Sequence, residues 1–252
     1  MTTATRQADC ANCPALGAVL CPARGKAPEA LGRPPRQLLI NPENGPIYLF
    51  GGRRHVGLLQ SGLVMRVAQG QRGENRALHL VFPGELTGEP FCNDRPKVIQ
   101  ALAPSRICTF DLEAVEHSAD SDSGLSDALL RATSASLERL QRSIWIRALL
   151  STLEKVAALL VLVAEHQQEQ HATRGPLIVS LAWPRRLMAE LIGTSAESIS
   201  RATHELQRRG LITIRDAGTF ELHDLDALRD LAELEASPGV DRHQCRDSRK
   251  RA

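Results

Sequence analysis

The chain has 252 residues, 42% apolar and 24% charged, a globular composition with room for about two domains rather than a disordered, fibrous or disulfide-stapled one. Its 31 basic and 29 acidic side chains leave a net charge of only +2, so composition demands no polyanionic partner and any nucleic-acid site must be local.

The longest unbroken apolar run, Val156 to Ala164, falls far short of the ~20 residues that cross a bilayer. A secretory signal needs a basic start and an apolar stretch; the N-terminus is instead polar and Cys-rich, so export is not expected and the chain reads as cytoplasmic. In a reducing compartment, cysteines close in sequence serve more often as metal ligands or redox thiols than as disulfides. The six are Cys10, Cys13, Cys21, Cys92, Cys108 and Cys245.

Residues 1–36 hold the first three cysteines, several Pro and Gly and little periodicity, a loop-rich segment that an external constraint such as a metal could order. From 37 to 124, short apolar alternations are cut by turns: Pro46 to Phe50 before Gly51-Gly52, then Val56 to Val67, then Leu78 to Phe82 before Pro83-Gly84. Such spacing predicts an antiparallel β-roll or barrel. Residues 125–165 switch to helical period, with Leu130, Leu137, Leu140, Ile144 and Ala148 recurring near one face. Ser151 followed by Glu154 has the capping-box pattern and starts a second helix carrying Val156, Leu159, Leu160 and Val163. A seam of that length serves a dimer of helices as well as it serves packing on its own barrel.

Residues 166–235 open with the polar linker His166 to Gly175. A helix Trp183 to Ile192, the turn Gly193-Thr194 and a second helix Ala196 to Arg209 stopped by Gly210 follow. Leu211 to Ile214 and Thr219 to Leu222 then flank Asp216-Ala217-Gly218 as a hairpin. That order predicts a winged helix-turn-helix, and residues 236–252 read as a disordered basic tail. The fold class is thus α+β: an N-terminal antiparallel β-roll or barrel, a long helix and a C-terminal winged helix-turn-helix.

A helix entering the major groove needs polar side chains toward its N-terminal end and an apolar opposite face. Ala196 to Arg209 has both: Glu197, Ser200 and Arg201 share one face, while Ile199, Ala202 and Leu206 fall on the other. Glu can accept from a cytosine amino group and Arg can bond guanine O6 and N7. Ser195 stands as an N-cap, leaving exposed amides that can hold a phosphate. An isolated helix of this kind would more often carry Glu197 and Arg201 as an ordinary surface i,i+4 ion pair; the flanking helix, turn and hairpin favour DNA.

The run GTSAESISRATHELQRRGLI resembles the recognition-helix signature of the CRP/FNR superfamily of bacterial transcription regulators. Within it Glu197-Ser198-Ile199-Ser200-Arg201 matches the E-x-x-S-R form of the fumarate-nitrate regulator branch, and Ala196 stands where the catabolite activator branch has an Arg. LQSGLV and PGELTG segments and the long helix extend the resemblance over most of the chain. It implies a homodimer on double-stranded DNA, Glu197, Ser200 and Arg201 reading the half-sites of a TTGAT-type inverted repeat, and contact with RNA polymerase.

Cys10-x2-Cys13-x7-Cys21 places three thiols within twelve positions, enough to wrap a soft metal centre with a fourth ligand from elsewhere. By itself the pattern is equally open to zinc, an iron-sulfur cluster or unligated redox thiols. The resemblance implies an oxygen-labile 4Fe-4S cluster on this triplet and one distant cysteine. VIQALAPSRICTFDLEAV is similar to the family strand in which that ligand follows Q-A-L, which selects Cys108 over Cys92. Ile107 and Phe110 put Cys108 at the end of a half-buried strand, Cys92 reads as a turn or buried thiol, and Cys245 falls in the tail. An intact cluster would order the N-terminal segment against the barrel and set the helix for dimerisation. Leu140 stands where the best-known members carry an acidic residue on that helix, which implies a weaker oxygen dependence or one acting through helix orientation.

Rival readings fare less well. Gly88-Glu89 and Arg95 are elements of a cyclic-nucleotide cradle, but Pro96 replaces the hydroxyl donor that should follow the Arg. His55 and His79 are candidate haem ligands, though a lone strand His is more often a satisfied core or surface residue. No enzyme is expected, since the barrel region has no H-x-H or H-x-x-x-H and the chain no Gly-rich phosphate loop or nucleophile elbow. A zinc-stabilised or thiol-redox regulator of the same family, without a cluster, is the alternative.

Overall fold

The computed structural model describes residues 5–7, 20, 36–48, 55–70, 75–88, 98–170, 177–181 and 183–234. The chain divides into two compact units, residues 1–145 with 182–193, and residues 146–181 with 194–252. The expected α+β class holds, as does the order of β-sheets, long helix and winged helix-turn-helix.

The first unit is built on two four-stranded antiparallel sheets. One runs β1 (Thr5–Gln7), β2 (Arg36–Ile40), β8 (Ser105–Asp111), β4 (His55–Ser61); the other runs β3 (Pro46–Tyr48), β7 (Val98–Ala101), β5 (Val64–Gln69), β6 (Asn75–Val81). Alternation along β8 shares its side chains between two cores. Ile107 joins Ile40, Leu59, Val64, Val81, Ile99 and Ala101. Cys108 and Phe110 point the other way, into a cluster with Val56, Leu58, Leu86 and Leu20. The apolar run Val56 to Val67 forms two strands in different sheets, broken between Ser61 and Val64.

Asp111 caps α1 (Leu112–Ser121), its carboxylate accepting from the Glu113 and Ala114 amides. This helix escapes the sequence reading because its buried apolar positions are few, Leu112, Val115 and Ala119, among acidic and small residues. Asp122 ends it and, by accepting from Gly124 and Leu125, starts α2 (Ser123–Leu149). The first turns of α2 bury Leu129 in the cluster that holds Cys108, with Leu125 and Ala132 packed against it. Farther along, Leu130, Leu137 and Ile144 are 66%, 54% and 58% exposed. Helix α4 (Arg185–Ile192) groups with this unit and packs on β6, where the Glu190 carboxylate accepts from the Ala77 amide at 2.9 Å.

The second unit centres on α3 (Thr152–Gln170). The expected capping box is present: the Ser151 amide donates to the Glu154 carboxylate at 2.7 Å, and the Glu154 amide to Ser151 Oγ at 3.4 Å. Residues 152–165, grouped by sequence with the long helix, form the core of this unit instead, and every residue from Val156 to Val161 is buried. Around α3 pack α5 (Ala196–Arg208), α6 (Leu225–Leu231) and β9 (Leu177–Ser180). β9 completes a three-stranded sheet with β10 (Ile212–Ile214) and β11 (Thr219–Leu222), in the order β10-β11-β9. Arg229 of α6 donates to Glu165 of α3 at 2.9 Å. No helix among the described residues is long and apolar enough to cross a membrane. The tail read as disordered, 236–252, and most of segment 1–36 lie outside the described residues.

Candidate nucleic-acid interface

Pro184 precedes α4 as its N-cap, a place where a missing amide proton costs nothing; Trp183, expected as the first helical residue, is buried ahead of it. The helix ends at Gly193, whose φ of 65° and ψ of 55° are left-handed and whose amide closes on the Ala189 carbonyl. Only glycine takes that conformation without a Cβ penalty. The chain then extends at Ser195, whose Oγ accepts from the Ser198 amide at 3.1 Å and so caps α5, a contact worth ~1 kcal/mol.

Helix α5 buries Ile199, Ala202, Thr203 and Leu206 and exposes Glu197, Arg201 and His204. The expected site residues therefore share one end of one helix. Glu197 and Arg201 do not pair with each other; the Arg201 guanidinium donates to Ser198 Oγ at 3.3 Å. Ser200 is half-buried and its hydroxyl donates back to the Ala196 carbonyl at 3.3 Å, leaving its lone pairs to accept. At the C-terminal end Glu205 binds both Arg208 and Arg209. The hydrogen bond from Arg209, with the charges of both arginines, holds the Glu205 carboxyl below the usual carboxylate range. One carboxylate thus serves two guanidinium groups at that end, while Arg201 has no carboxylate partner among the described residues.

The wing is tied to α5 by side chains. Gln207 accepts from the Ile214 amide at 2.9 Å. His223 places Nδ1 3.1 Å from the Gly210 carbonyl and Nε2 3.0 Å from Thr213 Oγ1. At the hairpin tip Asp216 accepts from the Gly218 and Thr219 amides, both at 2.8 Å; these bonds, that from Gly218 first, lower its pKa. Arg215 pairs with Glu221 across the hairpin. Sequence reading missed Ser198, Gln207 and His223; for Ser198, its place three residues before Arg201 was the available signal.

Of the six cysteines only Cys108 lies among the described residues. It is 4% exposed in the interior of β8, between Gln37 of β2 and Leu58 of β4, not at a strand end as expected from its neighbours. The reason is tertiary: β2 and β4 pair along the length of β8 and enclose its middle. Arg6, Gln37 and Cys108 form one cross-sheet row, so strand spacing puts the Arg6 backbone about 10 Å from that of Cys108. Leu20, 2% exposed, sits in the same cluster as Cys108 and next in sequence to Cys21. Among the described residues no three His, Cys, Asp or Glu side chains gather as a metal site; Cys10, Cys13, Cys21, Cys92 and Cys245 lie outside them, as do Glu89, Arg95 and Pro96.

Residues 154–231 match the model of the Crp-like helix-turn-helix domain. A probable transcriptional activator of Rhizobium leguminosarum bv. viciae is 27% identical over 162 residues, 62% of this chain and 64% of that protein. The nitrogen fixation regulation protein FixK of Rhizobium meliloti (strain 1021) is 24% identical over 63% of this chain and 69% of its own length. The structure of FixK2 from Bradyrhizobium japonicum superposes with a TM-score of 0.66 at 18% identity, covering 80% of this chain and 99% of that one.

The chain thus carries a Crp-like helix-turn-helix domain and is similar to transcription regulators of the FixK kind. The match to the Rhizobium leguminosarum activator spans less than two thirds of that relative. The matched region runs from α3 to α6 and contains Ser195, Glu197, Ser200 and Arg201. The cysteine segment lies well outside it.

Proposed function

We propose that the protein is a homodimeric transcription regulator that reads a TTGAT-type inverted repeat in double-stranded DNA, its binding made oxygen-responsive by a 4Fe-4S group on Cys10, Cys13, Cys21 and Cys108. The observation that carries the DNA reading is that Glu197 and Arg201 are both exposed on one face of α5 and do not neutralise each other. A carboxylate acceptor and a forked donor one helical turn apart suit the cytosine amino group and guanine O6/N7 of G·C pairs. Ser195 and the amides at the start of α5 suit a backbone phosphate.

The exposed Leu130, Leu137 and Ile144, at seven-residue intervals on α2, suit a parallel helix seam. A two-fold axis there matches a target of two half-sites one DNA turn apart. Family kinship makes RNA polymerase the further partner.

What supports a soft metal group is the Cys108 thiol, buried on a strand enclosed by two others, with Leu20 in its cluster beside Cys21 in sequence. When bound, the 4Fe-4S group supplies an oxygen-labile tie among the four thiolates. Leu20 and Leu129 share the cluster that encloses Cys108, so ordering the segment around Leu20 adds apolar contacts to the first turns of α2.

The test is anaerobic purification with iron, sulfide and zinc analysis and DNA affinity before and after air, on the natural chain and on Cys108→Ala and Cys92→Ala. The expected result is about four iron and four sulfide per chain, lost with DNA affinity in air, absent in Cys108→Ala and retained in Cys92→Ala. Stoichiometric zinc, or no metal, with air-insensitive binding would leave a regulator whose cysteines are structural or thiol-redox and overturn the cluster. Absence of sequence-specific binding would overturn the regulator itself.

A further inference from the structure

Three polar side chains form a continuous run at the start of α5. Ser195 Oγ donates to Ser198 Oγ at 2.9 Å and accepts from the Ser198 amide at 3.1 Å, and Arg201 Nη2 donates to Ser198 Oγ at 3.3 Å. Ser198 Oγ thus accepts twice, from the cap on one side and from the guanidinium on the other. Long side chains on a helix lean toward its N-terminus over the preceding turn, and Ser198 is the half-buried group that Arg201 meets there. The i−4 neighbour Glu197 does not hold it. An exposed arginine has many rotamers to lose on binding, and a contact that restrains it beforehand lowers that loss.

We propose that Ser198 is a positioning residue for Arg201, holding the guanidinium along α5 so that it meets one G·C pair in register. This rests on the DNA-reading role of α5 proposed above. Glu197, Ser200 and Arg201 then form the contacting set, and Ser198 sharpens specificity through Arg201 rather than by touching a base.

Ser198→Ala isolates the side chain, because the backbone amide that Ser195 caps remains and alanine favours the helix. The anaerobically purified full chain is titrated onto a duplex carrying the TTGAT-type inverted repeat and onto one with the G·C pair of each half-site exchanged, at two salt concentrations. Ser198→Ala is expected to reduce the ratio of the two affinities about three- to tenfold, the net worth of one hydrogen bond, with an unchanged salt slope. Ser198→Thr, which keeps the hydroxyl, restores the ratio, and Ser198→Ala has no further effect in an Arg201→Ala background. An unchanged ratio in Ser198→Ala, with the natural chain still discriminating, overturns the positioning role and leaves the reading of α5 intact. An equal loss on both duplexes with a shallower salt slope assigns Ser198 to a phosphate instead and also overturns it. A natural chain that does not discriminate overturns the reading of α5, and the role of Ser198 with it.

Discussion

Arg139 of α2 pairs with Glu85 at 3.0 Å, and Glu85 spends its other oxygen on the Phe82 amide at 3.1 Å, so one carboxylate closes a roll turn and tethers the long helix. One helical turn on, Ser143 Oγ donates to the Leu78 carbonyl at 2.9 Å. These two contacts occupy the face of α2 opposite Leu130, Leu137 and Ile144, at 100° per residue. One side of the helix is thereby committed to its own roll and the other presents an uncovered apolar stripe.

Leu137→Asp places a carboxylate at the middle of that stripe without touching Arg139 or Ser143. Sedimentation equilibrium should shift from two chains to one while the circular dichroism stays native, because a charge in a seam position is strongly disfavoured. A dimer that survives this substitution would refute the seam.

Arg201→Ala should cost ~1–3 kcal/mol of discrimination at the G·C position and leave non-specific affinity nearly unchanged. Competition titrations with matched and exchanged duplexes read this directly. An equal loss on both would make Arg201 a phosphate contact.

Gly57→Ala should destabilise the roll by about 1–3 kcal/mol. A Cβ at Gly57 would stand 2.2 Å from Thr87 Oγ1 and 2.8 Å from Ile107 Cγ2, and both neighbours are buried at 0% exposure. Urea unfolding of the natural chain and the variant provides the measurement; equal midpoints would show that Thr87 yields freely.

Burial pushes the imidazole of His166, on α3, from its ordinary 6.5 down to about 4. Its neutral form belongs to the folded state and the unfolded chain takes the proton more readily. The stability this group contributes is therefore complete above pH 6.5 and lost as pH falls toward about 4. Melting temperatures measured across that window should fall less steeply for His166→Gln than for the natural chain. Parallel curves would show that other groups carry the acid response.

What the sequence determined by itself is local. The left-handed turn at Gly193, the Ser195 cap, the Ser151–Glu154 capping box and the seven-residue stripe on α2 are all readable because caps and helical periods act over three to seven neighbouring residues. The roll was legible only in outline. That β2 and β4 enclose the middle of β8, that Leu20 reaches the cluster around Cys108, and that Val156 to Val161 bury themselves in the second unit all depend on partners distant in sequence. Such pairings must offset the entropy of closing long loops, and which of them succeeds is decided by the total area buried across strands and helices. The same holds at the scale of one side chain: the sequence offered Arg201 both Glu197 and Ser198 within a turn, and the folded helix chose the serine.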